Sequence, residues 1–426
     1  MFPTTDTLVQ PLRKVLDKFS LVRSATEAIC KPLAIEDYIP QPIVDVSPPK
    51  WHLAHSTWFF EIFVLKTFYP GYKAFDPVYN ELFNSYYNTI GNRTARNRRG
   101  FLSRPTVAEV YAYRAHVNEH VAKLESFITE KNEQEICTLI ETGCQHEQQH
   151  QELLITDLKY ILSCNIIRPT YHTVSIPDQT HTIKSAFLPV SEGMYQIGYA
   201  GDEFCFDNEL GVHQVFLTEF RIQNRLVTNG EYMEFMADGG YKDFRLWLSE
   251  GWDLVNKEQW QHPLYWEQKD GEWYEFSLAG EHKVNKQAPV CHVSFFEAAA
   301  YAAWAGKRLL TEFEWEVAAR LYNPELKVQN SQDHWIFQPV TTSENQPACQ
   351  QLFGETWQWT NSAYLPYPGF AIAEGALGEY NGKFMMNQMI LRGSSCATPY
   401  NHMRHTYRNF FPANAQWQFS GIRLAE

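Results

Sequence analysis

The run Cys144-Gln145-His146-Glu147-Gln148-Gln149-His150-Gln151-Glu152 constrains this chain more than any other, because it lies inside a long helical segment predicted over Glu133 to Ser163. At about 100° per residue, positions four apart lie one above the other on a helix face, so His146 and His150 present two imidazoles to one point. Two imidazoles one turn apart can grip one metal ion. Glu152 falls about 160° round the helix from His150, so it does not complete that face. A third ligand has to come from elsewhere in the chain. The plainer alternative is a polar helix face with two hydrogen-bonded histidines. The i, i+4 pairing among so many polar residues favours metal.

The same run matches H-E-x-x-H, the zinc-protease pattern. A zinc protease needs a further ligand downstream, often a Glu or a His. The next carboxylates after Glu152 are Asp157, Asp178 and Glu192, and no His-x-x-Gly-x-x-His extension follows. Protease chemistry is therefore disfavoured. His52 and His55, in Trp51-His52-Leu53-Ala54-His55, lie on another predicted helix, Trp51 to Phe68. One histidine from that helix, with His146 and His150, makes three nitrogen ligands and leaves coordination positions open. The other is then a satisfied core or surface histidine. Imidazole suits iron, zinc, copper and nickel alike, so ligands alone do not choose the metal.

The rest of the chain sets the frame for that site. Apolar residues at helical spacing (Leu8, Leu12, Val15, Leu16, Phe19) predict a first helix over Thr7 to Cys30, followed by a connector rich in proline. Pro48-Pro49 opens the helix at Trp51, and Pro105 to Thr129 reads as a third before Glu133 to Ser163. Four helices with a long crossover predict a four-helix bundle, in which metal sites form between facing helices. The bundle spans residues 1–164 and a polar linker spans 165–185. Beyond it, residues 186–426 change texture. Short strands (Ala186-Pro189, Tyr195-Gly198, His213-Leu217, Phe220-Gln223) give way to helices at Asn229-Ala237, Phe295-Ala305 and Glu312-Leu321, the last capped by Thr311 with Glu314. This half reads as an α+β domain with little regular structure for its size.

Composition narrows the function. The 426 residues suffice for two or three domains, and 44% hydrophobic residues allow a substantial core. Aromatics at 15%, including 13 Trp, suggest packed irregular structure or clefts lined by flat rings. A formal charge of -13 argues against a nucleic-acid or anionic-membrane surface. The eight cysteines are scattered without C-x-x-C spacing, and the first residues lack an apolar signal core. The expectation is a soluble cytoplasmic protein acting on small molecules.

Two further groups carry chemistry. Asn84-Ser85-Tyr86-Tyr87-Asn88 precedes a basic cluster of Arg93, Arg96, Arg98, Arg99 and Arg104. Guanidinium groups bind carboxylates bidentately, while intramolecular pairing with acidic residues is the alternative. The tyrosines are core aromatics or phenol donors beside the metal. In the second half, Val227-Thr228-Asn229-Gly230-Glu231-Tyr232, Arg308 to Glu316 and Gly354-Glu355-Thr356-Trp357-Gln358-Trp359-Thr360 stand out.

Those three runs resemble the formylglycine-generating-enzyme domain, a C-type-lectin-like fold. The first half resembles the DinB-like helical bundle through His146, His150 and Glu152. The two in this order resemble the EgtB family of ergothioneine-type sulfoxide synthases. Pro49-Lys50-Trp51-His52-Leu53-Ala54-His55 is similar to that family's first ligand motif. Arg408-Asn409-Phe410-Phe411-Pro412 and Trp417 to Leu424 are similar to its C-terminal end. The resemblance implies a mononuclear non-haem Fe(II) enzyme that uses O2 to join a thiol sulfur to the imidazole of hercynine, as a sulfoxide.

It further implies His55, His146 and His150 as iron ligands, with His52 dispensable for metal. Gln149 would touch hercynine, Asn409, Phe410 and Phe411 would form its ammonium pocket, and Tyr86 and Tyr87 would be the catalytic phenols. Arg93 and Arg104 are the candidates for the thiol substrate's carboxylate, and cysteine is favoured over γ-glutamylcysteine because Pro412 to Trp417 holds no charge. The formylglycine activity itself is not implied, since Cys396 has no cysteine after it. Alternatives are a selenoneine synthase, which couples a selenosugar to hercynine, and a non-catalytic lectin-like binding protein.

Overall fold

The computed structural model describes residues 5–173, 182–328, 339–342, 348–372 and 381–426. The chain divides into two compact units, one running to Ile166 and the other starting at Ile167. Part of the expected linker, residues 174–181, lies outside the described residues. Ahead of that gap, Tyr171 and His172 donate their backbone N–H groups to the Leu278 carbonyl, at 2.9 and 3.2 Å.

The first unit is helical. Helix α1 covers Thr5–Cys30. Helix α2 covers Pro49–Phe59 and runs on through a π-helical turn, Phe60–Leu65, into Lys66–Phe68. Helix α3 covers Val107–Ala122 and α4 covers Glu133–Ser163. Pro49 sits in the first turn of α2, where its missing N–H costs nothing. Thr106 and Glu109 form a capping box on α3. The helix expected to reach Thr129 ends earlier, at Ala122, and tightens into a 3₁₀ turn over Lys123–Phe127.

Helix α1 packs along α4, and α2 packs against both α3 and α4. Every residue of Pro49–Phe59 is buried, so α2 is the centre of the unit and its polar side chains must find partners inside. Gly143 lets α4 come this close. A Cβ there would lie 2.4 Å from the Phe60 ring, so only glycine permits the approach, one turn before His146. The π-helical turn carries Glu61, which accepts from Tyr72 Oη, Tyr113 Oη and the Phe75 N–H and so ties the long connection to α2.

The second unit is mixed. Strands β1 (Phe187–Val190), β2 (Gly193–Ile197), β3 (His213–Leu217) and β4 (Phe220–Gln223) are followed by helices α5 (Asn229–Ala237) and α6 (Ser249–Glu258). Strands β5 (Trp266–Lys269), β6 (Glu272–Ser277) and β7 (Gly280–Lys283) form their own antiparallel sheet. Then come α7 (Phe295–Trp304), β8 (Arg308–Leu309) and α8 (Glu312–Tyr322). The closing strands are β9 (Trp357–Ala363), β10 (Met389–Arg392), β11 (Asn409–Phe411), β12 (Ser420–Gly421) and β13 (Leu424–Ala425).

One sheet has the order β1-β4-β13-β8 and another β11-β10-β9-β12, so the chain's last strand is woven between β4 and β8. Thr228/Glu231, Ser294/Glu297 and Thr311/Glu314 cap α5, α7 and α8 with capping boxes. Trp315 of α8, with Val190, Ile197, Phe220, Ile222 and Phe353, forms the core. Buried arginines hold the irregular segments. Arg423 alone donates to the carbonyls of Gln223, Gln350 and Gln351 and to Gln358 Oε1, each at 2.7–2.8 Å. Long loops can be buried here because their carbonyls have such partners.

Candidate metal centre

Helix α4 places His146 and His150 as the spacing requires, with ring centroids 4.6 Å apart. From the facing α2, His55 brings a third ring, 5.1 Å from His146 and 4.9 Å from His150. One ring nitrogen from each of the three lies within 4.8 Å of the others. Glu152, though buried, is not part of that group.

The proton positions follow from the neighbours. His55 Nδ1 lies 2.6 Å from the Phe83 carbonyl oxygen, which can only accept, so Nδ1 carries the hydrogen. Its Nε2 is left bare, and that atom is buried with no partner. Both ring nitrogens of His146 are likewise buried and unpartnered. Leaving such groups unsatisfied costs about 1–3 kcal/mol each. A cation facing them takes up one lone pair from each ring and removes that part of the cost, which is the fit expected of a metal site.

The electrostatics agree. Burial, then the charge His146 would carry, push the His55 pKa well below its ordinary value. His146 is lowered to about 4 by burial, against which Glu147 pulls upward. Burial and the neighbouring His146 and His55 lower His150 also. Three imidazoles held neutral at pH 7 are three available nitrogen ligands.

Glu147 removes the protease reading. Its carboxylate is fully buried and accepts from Arg23 Nη1 at 2.8 Å, Arg114 Nη2 at 3.0 Å and Thr26 Oγ1 at 2.7 Å. Burial alone would raise its pKa, but Arg23 and Arg114 overcome that and hold it below the usual carboxylate range. A carboxylate locked between two guanidinium groups cannot serve as the general base a zinc protease needs.

His52 stands beside the triad. Its Nδ1 is 2.9 Å from His150 Nδ1, and its Nε2 is 2.9 Å from Asp157 Oδ2. Aromatic rings wall the site. Trp51 stacks on His55 at 4.4 Å and 17°, and Trp58 lies on the other side of His55 at 5.7 Å and 16°.

The arginine cluster separates into two kinds. Arg93, Arg96, Arg98 and Arg104 are exposed. Arg99 is buried, its guanidinium 3.4 Å over the Trp51 ring, which in turn stacks on His55. It donates to Ser47 Oγ at 2.8 Å and Ser85 Oγ at 2.7 Å, and its Nε is buried with no partner. Burial first, then Arg96, lower its pKa to about 9, so it stays charged at neutral pH. No periodicity marks Arg99 in the sequence, because it sits in a 3₁₀ turn, Arg96–Phe101. Arg93 and Arg104, the arginines expected to hold a carboxylate, lie on the surface.

Tyr87 is buried among Trp58 (5.4 Å), Phe63 (5.4 Å) and Tyr86 (4.6 Å). Tyr86 is half-buried and interacts electrostatically with Arg99. Asn84 shapes this loop by donating to the carbonyls of Tyr87, Gly91 and Asn92. Gln149 is half-buried on α4. In the second unit, Asn409, Phe410 and Phe411 form β11, paired with β10 and half-buried. Phe410 stacks on Tyr364 at 4.1 Å and 13°, and Phe411 meets Trp417 edge-on at 6.0 Å.

Residues 174–426 match the sulfatase-modifying factor enzyme 1-like domain family. The chain is 28% identical over 403 residues to the hercynine oxygenase of Mycobacterium tuberculosis, covering 89% of this chain and 91% of the relative. It is 31% identical over 305 residues to the hercynine oxygenase of Mycolicibacterium smegmatis, covering 66% and 69%. With ergothioneine biosynthesis protein 1 of Schizosaccharomyces pombe it shares 24% identity over 254 residues, 57% of this chain and 30% of that one.

Proposed function

Since the chain belongs to the EgtB family of hercynine oxygenases, we propose that it is an Fe(II)- and O2-dependent sulfoxide synthase of ergothioneine biosynthesis, joining cysteine to the imidazole of hercynine. The reaction balances as hercynine C–H plus thiol S–H plus O2 giving a C–S(=O) sulfoxide and water. O2 takes up four electrons, one oxygen goes to sulfur, and the other leaves as water with the two hydrogens. The observation that carries this reading is the cluster of His55, His146 and His150, with one ring nitrogen of each within 4.8 Å of the others.

Those three residues would hold the iron. When bound, Fe(II) supplies the redox chemistry that O2 needs, with positions open beyond the three nitrogens. The chain's own groups do the rest. Burial behind Trp51, Trp58 and Phe59 keeps water from the reacting centre. Arg99, charged and with an unpartnered N–H, joins Arg93 and Arg104 as a group to hold the carboxylate of the thiol substrate. Tyr86 and Tyr87 supply a proton to the developing oxygen product, with Tyr86 on the more open side. Gln149 contacts hercynine. Within the second unit, Asn409, Phe410 and Phe411 offer a surface suited to a trimethylammonium group, since aromatic faces attract a quaternary ammonium. The absence of charge in Pro412 to Trp417 favours cysteine over γ-glutamylcysteine, and cytoplasmic action fits such substrates.

The test is product analysis with hercynine, O2 and either thiol. The expected product is the cysteine sulfoxide conjugate, formed faster than the γ-glutamylcysteine conjugate. Arg99→Leu should raise KM for the thiol at least tenfold, and the Tyr86→Phe/Tyr87→Phe double variant should shift product toward cysteine sulfinate. Equal use of both thiols would overturn the cysteine assignment. An unchanged sulfoxide-to-sulfinate ratio in the double variant would leave the tyrosines without a chemical role.

A further inference from the structure

We propose that His52 and Asp157 form a positioning relay that selects which nitrogen of His150 faces the metal; this rests on the metal-centre reading above. The relay follows from counting hydrogens. Asp157 Oδ2 accepts the Ser47 backbone N–H at 2.8 Å and lies 2.9 Å from His52 Nε2. The carboxylate is buried, and its charge interacts with that of Arg99. An ionised carboxylate has no hydrogen to give, so His52 Nε2 must be the donor. In the proposed relay the single N–H of a neutral His52 is spent on Asp157, so His52 Nδ1 is the acceptor. Opposite it, at 2.9 Å, stands His150 Nδ1, which must therefore carry the hydrogen. The lone pair of His150 is left on Nε2.

The three ligands thus reach their state by different means. His55 is set by the Phe83 carbonyl, a fixed backbone acceptor. His150 is set by two side chains in series, His52 from α2 and Asp157 two turns further along α4. His146 has neither of its nitrogens engaged. A carboxylate acting on a metal-ligating imidazole fixes ring and tautomer and raises ligand basicity, and losing such a partner costs about 10–100-fold in metal affinity. The histidine treated as dispensable at the level of sequence is therefore a determinant of affinity without being a ligand.

Glutamine is the informative substitution, because its amide oxygen can accept from His150 Nδ1–H while its N–H2 donates to Asp157. The measurement is Co(II) titration of the full chain, read by ligand-field absorption, with circular dichroism of each metal-free variant as the control for folding. His52→Leu should bind Co(II) at least tenfold more weakly than wild type, and His52→Gln should recover most of the affinity with the wild-type band pattern. Wild-type affinity in His52→Leu would overturn the relay, as would equal losses in the two variants.

A second measurement needs no folded variant at position 52. In ¹⁵N-histidine-labelled metal-free protein, with His150 assigned through His150→Gln, Nδ1 should be protonated and Nε2 bare. A protonated Nε2 would overturn the relay. If wild type takes up neither Co(II) nor Fe(II), the metal-centre reading fails, and the nitrogen spectrum still decides the relay.

Discussion

Two buried polar clusters in this molecule solve opposite problems. In the second unit, Arg392 contacts Glu316 and the carbonyls of His405 and Thr406, and Arg408 donates to both oxygens of Glu312 and to the carbonyls of Asn208 and Leu365. Charge meets charge, and the spare N–H groups meet carbonyls, except at Arg392 Nε, which is buried with no partner. In the helical unit, His55, His146 and His150 bring one ring nitrogen each within 4.8 Å of the others. Opposite charges paired in the interior mark a group that holds the fold, and neutral lone pairs turned toward one another mark a group suited to a ligand. Helix α4 carries both kinds, since Glu147, one residue from His146, is locked by Arg23 and Arg114.

The comparison breaks most visibly through Glu316. Glu316→Leu leaves the Arg392 guanidinium buried beside a lost partner, and it should destabilise the chain by about 3–5 kcal/mol in denaturant unfolding. A loss below about 1 kcal/mol would show that this cluster is no more structural than the histidines.

His146→Ala is the converse. In metal-free protein it removes groups that have no partner, so its denaturation midpoint should match wild type or exceed it. Saturating metal at 100 times Kd should then add about 2.7 kcal/mol to wild type and nothing to the variant. A metal-free His146→Ala as damaged as Glu316→Leu would make the triad structural and collapse the distinction.

A third test uses acid. The His146 pKa falls from an ordinary 6.5 to about 4 on folding. Below pH 6.5 the unfolded chain therefore takes up a proton that the folded chain refuses. Stability from this group is present above 6.5 and is lost as pH falls toward about 4, at roughly 1.4 kcal/mol per pH unit. In metal-free protein, His146→Gln should flatten that part of the pH–stability curve. Parallel curves for the two proteins would contradict the buried, neutral state assigned here. The smallest expected effect is at the exposed Lys123–Glu119 pair at the end of α3, where Lys123→Ala should leave the midpoint unchanged within error.

How far the sequence reads through to this picture depends on the kind of signal. The helix over Glu133–Ser163, the strands His213–Leu217 and Phe220–Gln223, and the helix Asn229–Ala237 stand where periodicity and capping place them. Helix α6 and the β5–β6–β7 sheet do not emerge from the pattern. Glu272 to Ser277 mixes Glu, Trp, Tyr and Phe without clean alternation, so no period of two announces β6. The signal lay in its turn. Asp270 (φ 51°) and Gly271 (φ 82°) both take the left-handed conformation that a tight hairpin requires, and Asp-Gly is the dipeptide that supplies it.

At the site, the i, i+4 spacing of His146 and His150 is visible because it lies within one helix. The choice between His52 and His55 is not, since both lie on α2 and only the packing of α2 on α4 assigns one to the triad and the other to Asp157. Arg99 is hidden for a similar reason. Among five arginines, burial against Trp51 is a tertiary fact with no local mark.

The central claim is that the three clustered histidines hold one iron that couples sulfur to imidazole. The most direct measurement is a reaction of the chain loaded anaerobically with Fe(II), given hercynine, cysteine and ¹⁸O2, with bound iron and product mass read from the same sample. The account predicts one iron per chain and a sulfoxide conjugate carrying one ¹⁸O, with both lost in His146→Ala. Sulfoxide formation by an iron-free His146→Ala chain would contradict it, as would a wild-type chain that binds its iron and leaves hercynine unchanged.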